Sequence, residues 1–144
     1  ISNITLNIGG TGKAGASDSN FKVKFIGTPT VSNEDVVKAT ITSDLAATIN
    51  VESLIAKGDK VSATYEIQNA SADLSASIAV PTVSNSNEEY FSVTTDMTSA
   101  VTLASTETTE ITVTVELIKT PIEADQETTI NVSLVASPLQ PATN

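Results

Sequence analysis

The sequence predicts an all-β fold, a two-sheet sandwich of the jelly-roll or immunoglobulin-like type. The chain has 144 residues, which is enough for one domain with a substantial core. Thr, Val and Ile account for 49 of these residues, and their branched side chains favour strands over helices. Apolar and polar residues alternate in short runs about ten residues apart, and no run has helical periodicity. Many short strands at even spacing are typical of a sandwich.

The alternation places ten strands along the chain. The predicted strands have apolar side chains on one face and mostly Thr, Ser, Lys, Asn or Glu on the other. Pro81 ends the sixth strand because proline cannot donate a ladder hydrogen bond. The predicted strands lie at 1–8, 21–25, 37–42, 47–51, 61–67, 74–80, 90–95, 100–104, 111–117 and 130–136.

A glycine-rich segment separates the first strand from the rest. Four of the six glycines fall within seven residues, and small polar residues surround them. This composition is typical of a flexible linker. We therefore divide the chain into a strand at 1–8, a linker at 9–20, a sandwich at 21–137 and an irregular tail at 138–144. The predicted hinge glycines are Gly9, Gly10, Gly12 and Gly15.

The tethered strand has two possible acceptors. It can fold back as an edge strand of its own domain, because a short tether gives a high effective concentration. Alternatively, it can complete the sandwich of a neighbouring subunit by strand addition, with Ile4, Leu6 and Ile8 as the anchors. A head-to-tail contact of the second kind does not close on itself and produces a filament.

The composition excludes several classes of function. The chain has no His and no Cys, which argues against His-based triads, thiolate nucleophiles and conventional zinc sites. Its acidic residues lack the spacing of a calcium loop, and few aromatic residues are available to hold a sugar between two carboxylates. The net charge of −10 repels nucleic acid. We expect a protein that is not an enzyme and has no cofactor, no metal and no nucleic-acid partner.

The first residues and the hydropathy favour a secreted protein. The sequence does not begin with Met, and no apolar run approaches the roughly 20 residues that span a bilayer. We expect a signal peptide to have been removed, an extracellular location, and no membrane span. Three sequons make Asn3, Asn69 and Asn131 candidate N-glycosylation sites, each expected on a polar face or in a turn.

One segment resembles the TasA/camelysin family. The run from Lys57 through Gly58 and Asp59 to Asn69, a Lys-Gly-Asp turn leading into a strand that ends in Asn, is similar to that family, as is the short strand at 1–8. The resemblance implies a jelly-roll-like subunit of extracellular fibres, in bacterial biofilm matrix or archaeal bundling pili, in which each subunit's first strand completes the next subunit. Camelysin-type protease activity is not carried over, because the chain has no His.

Together, these observations predict a structural subunit of an extracellular filament, a pilus or biofilm matrix fibre. Its partners would be identical subunits, joined by donor strands, and other filaments packed alongside. The alternative is a monomeric immunoglobulin-like adhesion module at the cell surface that binds glycan or protein.

Overall fold

The computed structural model describes residues 3–9 and 20–139, which form eleven strands and no helix. They pack as two sheets, so the predicted all-β sandwich is confirmed. The strands are β1 (Ile4–Gly9), β2 (Val23–Val31), β3 (Val37–Ser43), β4 (Ala46–Val51), β5 (Lys60–Asn69), β6 (Ser75–Ile78), β7 (Thr82–Asn85), β8 (Phe91–Thr95), β9 (Val101–Leu103), β10 (Thr108–Leu117) and β11 (Ile130–Leu139).

The two sheets differ in size, and the larger one contains a parallel pair of strands. The larger sheet has the order β3-β4-β1-β11-β6-β9, and β7 also pairs with β11. The smaller sheet has the order β2-β5-β10-β8. Neighbouring strands are antiparallel except β1 and β4, which are parallel. The strand that precedes the glycine-rich segment is therefore an interior strand of the larger sheet.

Alternating side chains of both sheets form one core. On β5, every second residue from Val61 to Ile67 is buried, as period-two alternation predicts. Tyr65 is fully buried, its hydroxyl donates to the Thr48 carbonyl at 2.8 Å, and burial raises its pKa. Its ring lies 6.1 Å from that of Phe25, so both aromatic side chains belong to the core. Tyr65 and Phe25 therefore stabilise the core of the sandwich.

The structure departs from the predicted strand map at three places. The strand β7 was not predicted, because Val83 is its only apolar residue. The strand β2 continues past the predicted 21–25 as far as Val31, with a register shift between Ile26 and Thr30. The strand β11 continues to Leu139, so the predicted tail at 138–144 begins inside a strand; its residues 140–144 lie outside the described residues.

The two ends of the sandwich are distinguished by hydrogen bonds between strands. At one end, the Asn69 side chain donates to the Leu74 and Leu103 carbonyls at 2.8 and 3.1 Å. At the other, the Asn85 side chain donates to the Phe91 carbonyl at 2.7 Å, and Asn85 pairs with Ile130. We call these the Asn69 end and the Phe91 end. The strand β1 runs from the Asn69 end toward the Phe91 end.

Candidate functional site

The strand β1 lies in a channel between β4 and β11. It pairs with β11 over six residues, from Ile4 opposite Ala136 to Gly9 opposite Asn131. On its other side it pairs with β4 at two positions, and the Asn7 N–H donates to the Leu45 carbonyl at 3.0 Å. Within this chain β1 is therefore an interior strand, and the expectation that a strand folding back would lie at an edge is wrong.

Side chains on one face of β1 enter the core. Leu6 and Ile8 are completely buried, and Ile4 is half-buried against the same cluster. Burying each large aliphatic side chain contributes about 1.5–3 kcal/mol. Asn7, on the opposite face, is only 7% exposed. The predicted anchors therefore point inward, and β1 lies between β4 and β11 in the sheet.

Gly9 ends the strand where the channel widens. Its φ is +81°, and a Cβ at this position would lie 2.4 Å from the Ile130 carbonyl oxygen. Only glycine fits such a close approach in the left-handed region. Gly9 is thus the last residue of β1 and not the first of the predicted linker; Gly10, Gly12 and Gly15 lie outside the described residues.

A cavity of about 500 Å³ continues the channel beyond Gly9 toward the Phe91 end. Pairing between β1 and β4 stops at Ala47, although β4 runs on to Val51. One wall of the cavity is residues 49–54 and the other is residues 126–130; Phe91 and Val115 from the smaller sheet also line it. The channel therefore has a half filled by β1 and an open half that no described strand occupies.

The wall at 126–130 is fixed by side chains from the connection between β7 and β8. The Asn87 side chain donates to Gln126 Oε1 at 3.2 Å and to the Glu127 carbonyl at 2.9 Å, and the backbone N–H of Asn87 donates to Thr128 Oγ1 at 3.2 Å. Ser86 Oγ accepts the Thr129 N–H at 2.8 Å. These bonds hold the wall in place although no described strand lies between it and the opposite wall.

Two carboxylates lie at the edge of the open half of the channel. Glu52 on one wall and Glu127 on the other are both exposed. The ion pair found among residues 3–9 and 20–139 joins Lys119 to Glu89 at 2.8 Å, and the Glu89 carboxylate raises the pKa of Lys119. Neither rim carboxylate has a cationic partner in the described part of the chain. No group of His, Cys, Asp and Glu there is arranged to hold a metal ion.

The turn that carries the family resemblance is stabilised by its aspartate. The Asp59 carboxylate accepts the N–H groups of Ala56 and Ile55, each at 3.0 Å. These hydrogen bonds lower its pKa. The predicted turn before the strand that ends in Asn69 is present, and it lies at the Phe91 end.

The three candidate glycosylation residues occupy different environments. Asn3 is exposed, and Asn131 is half-buried with its Oδ1 unpaired and shielded from solvent. Asn69 is completely buried, and its Nδ2, the atom that would carry a glycan, donates to two carbonyls. The expected surface position of Asn69 is wrong: this residue joins β5, β9 and the segment before β6.

The chain was compared with protein families, curated proteins and solved structures. No protein-family model, curated protein or solved structure matches the chain. The resemblance to the TasA/camelysin family therefore stays a prediction from the residues quoted above. None of the described elements is a helix long and apolar enough to cross a membrane.

Proposed function

We propose that this protein is a non-enzymatic structural subunit of an extracellular filament, such as a pilus or biofilm matrix fibre. In this proposal β1 of one copy occupies the channel of the next and completes a jelly-roll-like sandwich. The subunits then repeat head-to-tail. The observation that carries the proposal is that β1 is an interior strand whose chain connection leaves at the end opposite to the start of β2.

The position of the two chain ends supports exchange between copies. Gly9 lies opposite Asn131, whereas Val23 pairs with Asn69 at the other end, where the Asn69 side chain reaches the carbonyl of Leu74, which precedes the partner of Leu139. Asn131 and Leu139 are eight residues apart on β11, a separation of about 27 Å at roughly 3.4 Å per residue. A chain that fills its own channel therefore has to return along the length of the sandwich.

The connection from Gly9 to Asn20 is long enough for this return, but only when stretched. Its eleven peptide units reach at most about 36–40 Å. The root-mean-square span of a flexible chain of this length is about 17–20 Å, well below the roughly 27 Å required. If β1 enters a neighbour's channel instead, the connection that follows β1 emerges at the neighbour's Phe91 end. The donor's own domain can then lie beyond that end, with its Asn69 end facing the neighbour. The stretched return is then unnecessary.

Such a contact is heterologous, because a strand of one copy meets a channel of another. Each copy offers one strand and one channel, so the contact repeats without closing when successive copies are translated along the strands. The partners are identical subunits. Lateral bundling of filaments is a further proposal, and the net charge of −10 per subunit makes it dependent on salt.

A disulfide placed between facing residues distinguishes exchange from self-completion. Asn7 faces Ser133 across β1 and β11, and facing antiparallel residues lie within disulfide range. The natural chain has no Cys, so the double variant Asn7→Cys/Ser133→Cys contains one designed pair. After mild oxidation, exchange gives a ladder of covalent multimers on a denaturing gel, which we expect.

A cysteine pair that is out of register provides the control for this experiment. The variant Asn7→Cys/Ser137→Cys places the second thiol four residues out of register, about 13 Å along β11, and should not cross-link. If Asn7→Cys/Ser133→Cys gives only internally linked monomers at every protein concentration, the filament proposal fails. The monomeric adhesion module would then be the better account.

A further inference from the structure

We propose that the open half of the channel is a second docking site, which receives residues 10–14 of the subunit that donates β1. This inference rests on the proposed function and names a part of the same interface. It starts from the end of β1: Gly9 lies against Ile49 and Ile130, which line the cavity, and the two walls are the residues that end and follow β4 and those that precede β11. An extended segment between those walls would lengthen the interface by strand addition.

Chain length prevents a subunit from filling this half itself. Five residues beyond Gly9 reach about 17 Å farther from the Asn69 end, so residue 14 would lie about 44 Å from the start of its own domain. The six peptide units from residue 14 to Asn20 cover at most about 22 Å. A donor from another subunit has no such conflict, because its own domain lies beyond the Phe91 end.

Extending the observed register assigns partners to the docked segment. Ile8 pairs with Ala47 in the parallel direction, and Gly9 pairs with Asn131 in the antiparallel direction. Lys13 is five residues past Ile8, so it would lie beside Glu52, which is five residues past Ala47. Lys13 is also four residues past Gly9, so it would lie opposite Glu127, which is four residues before Asn131. Both carboxylates line the cavity, are exposed, and lack a cationic partner among the described residues.

The remaining residues of the segment suit the same register. Thr11 falls between Asn50 and Thr129, two polar residues that line the cavity. Gly10, Gly12 and Ala14 fall on the inward side, where small residues allow the backbone to approach Phe91 and Val115 closely. The segment therefore contributes backbone pairing and one charge contact, while Leu6 and Ile8 contribute the apolar anchoring.

A cross-link at the far end of the segment tests this docking. In the variant Lys13→Cys/Glu127→Cys, the two thiols face each other only if a donor's residues 10–14 lie in an acceptor's open half. We expect a covalent ladder after oxidation. The matched control, Lys13→Cys/Asn131→Cys, places the second thiol four residues away on the same side and should give no ladder.

Charge reversal tests the contact without cysteine. Lys13→Glu should raise the protein concentration needed for half-maximal filament formation about tenfold at low salt, and high salt should reduce the difference. Adding Glu52→Lys and Glu127→Lys should restore assembly. Lys38→Glu, which makes the same change of charge on the exposed surface of β3, should have little effect.

The outcomes separate this inference from the proposed function. If Asn7→Cys/Ser133→Cys gives a ladder but Lys13→Cys/Glu127→Cys does not, the donor strand is exchanged and docking of residues 10–14 is wrong. An unchanged assembly concentration for Lys13→Glu also overturns the docking. If Asn7→Cys/Ser133→Cys cross-links only within single chains, the proposed function fails and the docking inference fails with it.

Discussion

Gly9 and Asn69 have roles that depend on residues far away in the sequence. Composition alone marks Gly9 as one of several linker glycines, yet the carbonyl of Ile130, more than a hundred residues away, leaves no room for a side chain there. Asn69 forms a glycosylation sequon, yet its side chain is buried and fully hydrogen-bonded. Local sequence cannot distinguish these cases, because the deciding contacts come from other strands.

Replacing Gly9 tests the close approach at the end of β1. Gly9→Ala should lower the free energy of unfolding of the monomeric protein by more than the about 1–2 kcal/mol that the left-handed conformation alone costs a side chain. The excess arises from overlap with the Ile130 carbonyl. Gly27→Ala is the matched control, since Gly27 also has positive φ but open space around it. Equal losses for both variants in chemical denaturation would contradict the steric argument.

At the scale of elements, alternation predicted most strands but not how they pair. Strands with three or more inward apolar residues, such as β5 and β10, were predicted because burial on one face leaves a period-two pattern. The strand β7 was missed because Val83 is its only apolar residue, so it has no alternating pattern, although it pairs with β11. The interior position of β1, and hence the channel and its open half, depends on long-range pairing that no local pattern encodes.

An aspartate on the inward face of β1 should disable donation while leaving the channel able to accept. Leu6→Asp places a charge where the native side chain is fully buried, which costs several kcal/mol in any channel that β1 enters. The variant alone should form no filaments. Mixed in small amounts with the natural protein, it should shorten filaments, because each incorporated copy accepts a strand but donates none.

A substitution of the neighbouring residue, Thr5, is the control for this prediction. Thr5→Asp adds the same charge to the opposite, half-buried face of β1 and should reduce assembly far less than Leu6→Asp. Filament lengths can be measured by negative-stain electron microscopy. Filaments of unchanged length in the presence of Leu6→Asp would mean that β1 is not the connecting element.

At the scale of the whole molecule, the proposed exchange of β1 would limit how far apart successive subunits lie. The sandwich is built on strands of ten residues, about 33 Å long before the connecting segments at each end are added, so stacked domains need at least about 40 Å. In the proposed exchange, Gly9 would lie about 27 Å from the Asn69 end of the acceptor, and the connection to Asn20 would add at most about 38 Å, which gives an upper limit of about 65 Å.

We therefore expect filaments with a polar axis and an axial rise of about 40–65 Å per subunit, with strands running close to that axis. Removing four residues from 15–19 should shorten the connection and leave β1, the channel and the segment at 10–14 unchanged. Only the upper limit of the axial rise should fall. Helical reconstruction from electron micrographs measures the rise directly. A rise below about 30 Å is shorter than the strands themselves, so it would require side-by-side subunits and contradict head-to-tail exchange along the channel.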